Sequence, residues 1–211
     1  NINGSPAIRN CVITNNRATS AGGMLNSSGS SPLLQRCTFQ GNMATSISGG
    51  AMSNTLGVTP VLEHCRFLGN FATFSGGAIQ NSTSSITISD SVFVGNSTIS
   101  GGAIFNSGSS ATLTNCSLVQ NVATTSTGGI LDSGSSTTLL NSVLWNNSDN
   151  SGTGEAAQLS AGAFADYSCI QDSDPNDANV FPGLNNIDDN PLFVRNPSHG
   201  GDGWGVGNND D

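Results

Sequence analysis

The chain has 211 residues, a net charge of −9, no lysine and 9% charged residues. No basic face is available, which excludes a partner held through phosphate contacts such as nucleic acid. No apolar run approaches about 18 residues, so no segment reads as a membrane-inserting helix.

The charge is segregated. Residues 1–148 carry a net +1 and residues 149–211 a net −10. This division marks two expected regions: a nearly neutral repeat body over 1–148, and a last degenerate coil with an acidic, glycine-rich capping tail over 149–211. The chain opens at Asn1 inside a repeat, since Ser5-Pro6-Ala7-Ile8 matches Ser31-Pro32-Leu33-Leu34. No signal-peptide core follows, and the expectation is a mature or excised fragment.

Two markers then recur. Double glycines fall at Gly22-Gly23, Gly49-Gly50, Gly76-Gly77, Gly101-Gly102 and Gly128-Gly129, with steps of 27, 27, 25 and 27. A large apolar residue stands three before Asn16, Asn42, Asn70, Asn96, Asn121 and Asn147, whose steps are 26, 28, 26, 25 and 26. Within each unit, runs such as Ser85-Ile86-Thr87-Ile88 and Ser91-Val92-Phe93-Val94 alternate with the period of a strand. No apolar stripe has helical spacing. The reading is an all-β fold: a parallel β-helix, or β-solenoid, of about six coils. Each coil holds three short strands, and an irregular C-terminal cap closes the stack.

Stacking predicts ladders. An apolar row runs Ile8, Leu34, Leu62, Ile88, Leu113, Leu139, and a large row runs Ile13, Phe39, Phe67, Phe93, Leu118, Leu144. The six Asn form an amide ladder whose side chains satisfy one another. Cys11, Cys37, Cys65 and Cys116 share a slot with Ser91 and Ser142, which points to a small buried residue rather than to a thiolate metal site. A corner is expected before that slot, and Ala18, Ala44, Ala72, Thr98 and Ala123 suit a narrow inward turn. The glycine pairs mark a bend that needs positive φ or close backbone approach.

Repeated GGA[IM] with F-x-x-N, complete over Gly49–Asn70 and Gly76–Asn96, resembles the repeats of the chlamydial-type polymorphic outer-membrane proteins and of secreted right-handed parallel β-helix proteins of bacteria. The resemblance covers about Ile8 to Asn147. It implies a right-handed coil in a secreted or cell-surface protein, an adhesin or carrier stalk whose signal and anchor lie elsewhere.

Beyond Asn147 the pattern loosens. A last rung is expected at Ala165 to Ile170, with Ser168 in the cysteine slot and Ile170 in the phenylalanine slot. The segment Asn186-Ile187-Asp188 to Pro191-Leu192-Phe193 is similar to the closing segment of secreted bacterial β-helix proteins. Ile187, Leu192, Phe193 and Val194 are the apolar residues offered to cover the open end. In the tail, Asp202, Asp210 and Asp211 are candidate Ca²⁺ ligands, although their spacing is not that of an EF-hand loop. Asn3, Asn26, Asn81, Asn96 and Asn115 begin glycosylation sequons.

Chemistry on such a scaffold needs carboxylates or a base grouped on one face. Glu63, His64 and Asp90, with Arg36 and Arg66, form the only mixed titratable stripe, and they are the candidates if the chain is an enzyme. A solvated polar stripe with weak ion pairs is the preferred reading of them. The expectation is therefore a non-enzymatic β-helix segment that presents a polar face to an extracellular glycan or surface protein. The alternative is a carbohydrate-active enzyme or its inactive relative. An ice-binding face ranks last, because Thr38, Thr87, Thr112 and Thr138 do not keep one register across all coils.

Overall fold

Corners set the length of every element. In the coil that starts at Gly76, backbone with left-handed φ falls at Gly76 (63°), Thr83 (50°), Asp90 (50°) and Gly95 (63°). Between and after them run the strands Ile79–Ser82, Ser85–Ser89, Val92–Val94 and Ser97–Ser100. One left-handed residue turns an extended chain sharply without a loop, so a 25-residue circuit closes on itself. The computed structural model of the protein describes residues 1–46, 49–172 and 181–193, and this circuit repeats through them.

Each strand pairs in parallel with its equivalent one coil on, as in Leu62↔Ile88, Phe67↔Phe93 and Ile79↔Ile104. Four parallel sheets result. Sheet 1 runs from Ala7–Arg9 to Phe164–Asp166 and sheet 2 from Val12–Thr14 to Cys169–Ile170, with seven strands each. Sheet 3 runs from Arg17–Ala18 to Val122–Ser126 and sheet 4 from Met24–Asn26 to Ile130–Ser133, with five strands each. The fold is the all-β solenoid that the repeat predicts.

The coil has four strands, not three. Two strands lie where none was named: the one following the glycines, such as Ile79-Gln80-Asn81-Ser82, and the one holding Ala18, Ala44, Ala72, Thr98 and Ala123, which were expected to form a narrow inward turn and instead lie in the short strands of sheet 3. The first of these is hidden by its pattern. Its inward residues are one apolar and one Asn, so alternation of hydrophobicity hides it.

The glycine pairs also divide differently than their spelling indicates. Strand pairing aligns Gly22, Gly50, Gly77, Gly102 and Gly128 in one column. A Cβ on Gly50, Gly77 or Gly102 would lie 2.1 Å from the next coil's carbonyl oxygen in that column. Close backbone approach therefore requires glycine there. The preceding position is the corner, where Ala21 and Thr127 take positive φ as well as Gly76 and Gly101.

The core sits inside the four sheets. Leu34, Leu62, Ile88, Leu113 and Leu139 face Phe39, Phe67, Phe93, Leu118 and Leu144, all with no exposed surface. The rings of Phe39 and Phe67 stack with centroids 5.0 Å apart, and those of Phe67 and Phe93 4.7 Å apart. Burying each such ring contributes about 2–3 kcal/mol. Sheet 4 adds Met52, Ile79, Ile104 and Ile130.

At the C-terminal end, the helix Glu155–Gln158 and Leu159 cover the interior. The expected last rung pairs as Leu139↔Ala165 and Leu144↔Ile170. The apolar cap differs from expectation: Phe181 joins the core, whereas Ile187 and Leu192 are 52% and 80% exposed. The bridge Cys169↔Ile187 explains this, because it turns Ile187 outward and places Asp188 in line with Ile170. Phe193 is half-buried, and Val194 lies outside the described residues.

Candidate functional site

The repeated polar residues are largely engaged with one another. Asn96 Oδ1 accepts from the Asn70 N–H and Nδ2, both at 2.9 Å. Its own Nδ2 donates to Phe67 O and Asn121 Oδ1, both at 2.9 Å. The same pattern links Asn16, Asn42, Asn70, Asn121 and Asn147, and no surface-facing capacity remains on Asn42 through Asn147, which are fully buried.

A second amide column, not anticipated, runs Asn1, Asn26, Asn54, Asn81, Asn106 and Asp132 on sheet 4. The signal for it was present, since Asn26, Asn54, Asn81, Asn106 and Asp132 recur two residues after the apolar residue of each glycine motif. The sequons at Asn26, Asn81 and Asn96 therefore lie in the interior, while Asn3 and Asn115 are exposed.

The cysteine slot does more than fill space. Ser91 Oγ donates to Ser89 O at 2.7 Å and accepts the Cys65 N–H at 2.9 Å, and Ser142 serves Cys116 in the same way. Cys65 and Cys116 direct their thiols to Glu63 O and Thr114 O, both at 3.4 Å. Each slot residue thus caps the carbonyl two before it, at the left-handed corner. Thiol and hydroxyl interchange because both donate. Burial pushes the Cys65 and Cys116 thiols up to about 11, so they are poor thiolate ligands.

Of the mixed titratable stripe, Arg36, His64, Asp90 and Asn115 stack at one corner, all with φ between 50° and 55°. Asp90 Oδ1 accepts from Asn115 Nδ2 at 3.1 Å. Glu63 belongs to a different row, where Gln35 Nε2 donates to it at 2.7 Å and Arg9 Nε donates to Gln35. Among the described residues, no hydrogen bond joins His64 to Asp90 or to Glu63. The three candidates lie close along the solenoid without forming a relay.

The outer surface offers a different feature. On sheet 1, Ser85, Thr87 and Ser89 pair with Ser110, Thr112 and Thr114, and then with Ser136, Thr138 and Leu140. Thr87, Thr112 and Thr138 thus keep one register over three coils, and Thr38 lies on sheet 2. Beside this hydroxyl array, a groove of about 620 Å³ follows the corner between sheets 4 and 1. It is lined by residues 57–59, 83–85, 108–110 and 134–136. Its lining is Ser, Thr, Gly and one Val, with no charged side chain. On its floor, Ser84 N donates to Ser109 Oγ at 3.1 Å and Ser109 N to Ser135 Oγ at 2.9 Å, which holds the coils in register and leaves Ser85, Ser110 and Ser136 exposed.

The candidate Ca²⁺ ligands Asp202, Asp210 and Asp211 lie outside the described residues. Among the described residues, no group of three His, Cys, Asp or Glu side chains converges on a point, and no helix is long and apolar enough to cross a membrane.

Comparison with known proteins matches residues 1–118 to a family model described as a right handed beta helix region. No curated protein and no solved structure matches the chain.

Proposed function

The chain belongs to the right-handed β-helix family, and from that premise we propose that it is a binding segment of a secreted or cell-surface protein, holding a neutral extracellular glycan or surface protein along its Ser/Thr face. The observation that carries this reading is the contrast between inside and outside. The repeated amides are engaged in stacking, and the outer hydroxyls of sheet 1 stand in register beside an uncharged groove. An extended ligand lying along the solenoid would meet equivalent hydroxyls at each coil, roughly 4.8 Å apart. Hydroxyls and waters between them are suited to polar, uncharged partners.

The test is binding of the chain to arrayed glycans and extracellular-matrix proteins, with Ser110→Tyr filling the groove. Binding lost in Ser110→Tyr and retained in Glu63→Ala, His64→Ala and Asp90→Ala is the expected result. Turnover of a polysaccharide that disappears in those three alanine variants would replace this reading with a carbohydrate-active enzyme.

A further inference from the structure

We propose that the pocket around Tyr167, at the corner between sheets 1 and 2, binds one pyranose unit of a neutral glycan, with the tyrosine ring as its platform and the amides of Asn141 and Asn185 as partners for its hydroxyls. The site is separate from the groove between sheets 4 and 1, and the inference stands whether or not that groove holds a ligand. Asn141, Tyr167 and Asn185 occupy the same left-handed corner in successive coils, with φ of 48°, 51° and 55°. The Asn141 N–H donates to Asp166 O and the Tyr167 N–H to Leu184 O, which sets the three side by side at about one strand spacing, roughly 4.8 Å. Tyr167 has a coil on either side of it, so its 58% exposure does not come from an open end.

Nothing local asks for tyrosine here. A left-handed backbone is strained for a bulky side chain and suits asparagine, and the same corner is asparagine at Asn10, Asn115, Asn141 and Asn185. Such an outlier points to a use of the side chain. Beside the ring lies a cavity of about 360 Å³. Val143, Cys169 and Ile187 line it from one column of sheet 2, where Val143 pairs with Cys169 and Cys169 bridges to Ile187. Among the described residues, the side chains of Asn141, Tyr167 and Asn185 have no hydrogen-bond partner, so their polar atoms are free to meet a ligand.

These features match one sugar ring. The cavity stands near the lower end of the range for small-ligand pockets, roughly 300–1,000 Å³, and so takes one ring rather than a chain. The C–H face of a pyranose carries slight positive charge and packs on the negative face of a phenol ring. Each amide offers two N–H donors and a carbonyl acceptor, which is what a hydroxyl pairs with. The lining holds no charged side chain, and Cys169, pushed up to about 11 chiefly by burial, stays a neutral thiol. Residues 149–211, to which Tyr167 and Asn185 belong, carry a net −10, which disfavours an acidic sugar.

The sequence contains one tyrosine, so its ring protons report on this site alone. The experiment titrates the methyl glycosides of glucose, galactose, mannose and N-acetylglucosamine into the full chain carrying isotope-labelled tyrosine, and follows the ring resonances by NMR. A saturable shift with at least one glycoside is expected, with a Kd of about 1 mM, the affinity one small ring reaches. Asn141→Ala should weaken binding about tenfold, and Tyr167→Phe should keep it. Tyr167→Asn should abolish binding, read by saturation transfer to the sugar, with a melting temperature unchanged or higher because asparagine suits the corner. Ser110→Tyr should leave the titration unchanged, so failure of the groove and failure of this site are separate results. No ring shift with any glycoside, undiminished binding by Tyr167→Asn, or a shift produced by an apolar probe such as indole and by no sugar would each overturn the proposal.

Discussion

Gln158 stands in for the next asparagine below Asn147. Its Oε1 accepts from Asn147 Nδ2 at 2.8 Å and from the Asn147 N–H at 3.2 Å, and its Nε2 donates back to Asn147 O at 2.9 Å. An amide column that always donates toward the C-terminus must end on an acceptor. The second column ends the same way, on the carboxylate of Asp132, which accepts from Asn106 at 2.9 Å and from the Thr137 N–H at 3.0 Å. Termination is therefore chemical as well as steric.

Gln158→Ala leaves two donors of Asn147 unpaired in the interior. Loss of about 2–3 kcal/mol is expected, read as a lower urea midpoint, with faster amide exchange confined to residues 143–159. Equal exchange throughout the solenoid would contradict a local terminator.

Two glycines should respond in opposite degree. In Gly77→Ala the new methyl meets Gly102 O at 2.1 Å, and loss of more than about 4 kcal/mol, or failure to fold, is expected. Gly134 has φ of 58° with nothing within 4 Å of an added Cβ, so Gly134→Ala should cost only about 1 kcal/mol. Thermal unfolding of the two variants checks the contrast.

Thr98 occupies the alanine column of sheet 3, and its buried hydroxyl has no partner among the described residues. Thr98→Val keeps the shape and removes the orphan oxygen. A gain of about 1 kcal/mol in unfolding free energy is expected. A loss of stability would show that the hydroxyl is satisfied in solution.

The raised thiols predict alkaline sensitivity. A native Cys65 or Cys116 near 11, against an ordinary value of 9.0, means that the unfolded chain releases its protons first as pH rises. Stability from these groups is full below about pH 9 and is lost as pH climbs through about 11. Cys65→Ser and Cys116→Ser should fold, as Ser91 shows, and should flatten that loss in urea titrations between pH 8 and 11. Asp149 acts at the other end. Desolvation raises it, but hydrogen bonds from Ser151, Thr127 and Gly152 outweigh that and hold it below 3.8. Its contribution is present above that value and is lost on acidification, so Asp149→Asn should flatten the acid limb.

Expression in a glycosylating host separates buried from exposed sequons. Folded protein should carry no glycan at Asn26, Asn81 or Asn96, which are fully buried. Occupancy at Asn3 or Asn115 is compatible with the fold. A glycopeptide at Asn81 from folded protein would contradict the second amide column.

The sequence by itself determined the stacking. The step between Asn42 and Asn70, and the match of Phe39, Phe67 and Phe93, follow from a parallel register in which like side chains meet, so period alone places them. It also placed Ser168 and Ile170 in their slots, because the corner-and-strand pattern survives there. Tertiary structure decided whatever depended on which way a residue faces. The Ile79–Ser82 strand was hidden because its inward residue Asn81 is polar, and polarity signals the surface until a stacked partner is seen to satisfy it. The closing residue was Phe181 rather than Ile187 for the same kind of reason: a bridge to Cys169 fixes the side on which Ile187 lies, and no local pattern states it. The register of Thr87, Thr112 and Thr138 was already implied by the apolar row of Ile88, Leu113 and Leu139 beside them, but the uncharged groove next to them, at the corner between sheets 4 and 1, exists only once the backbones pair.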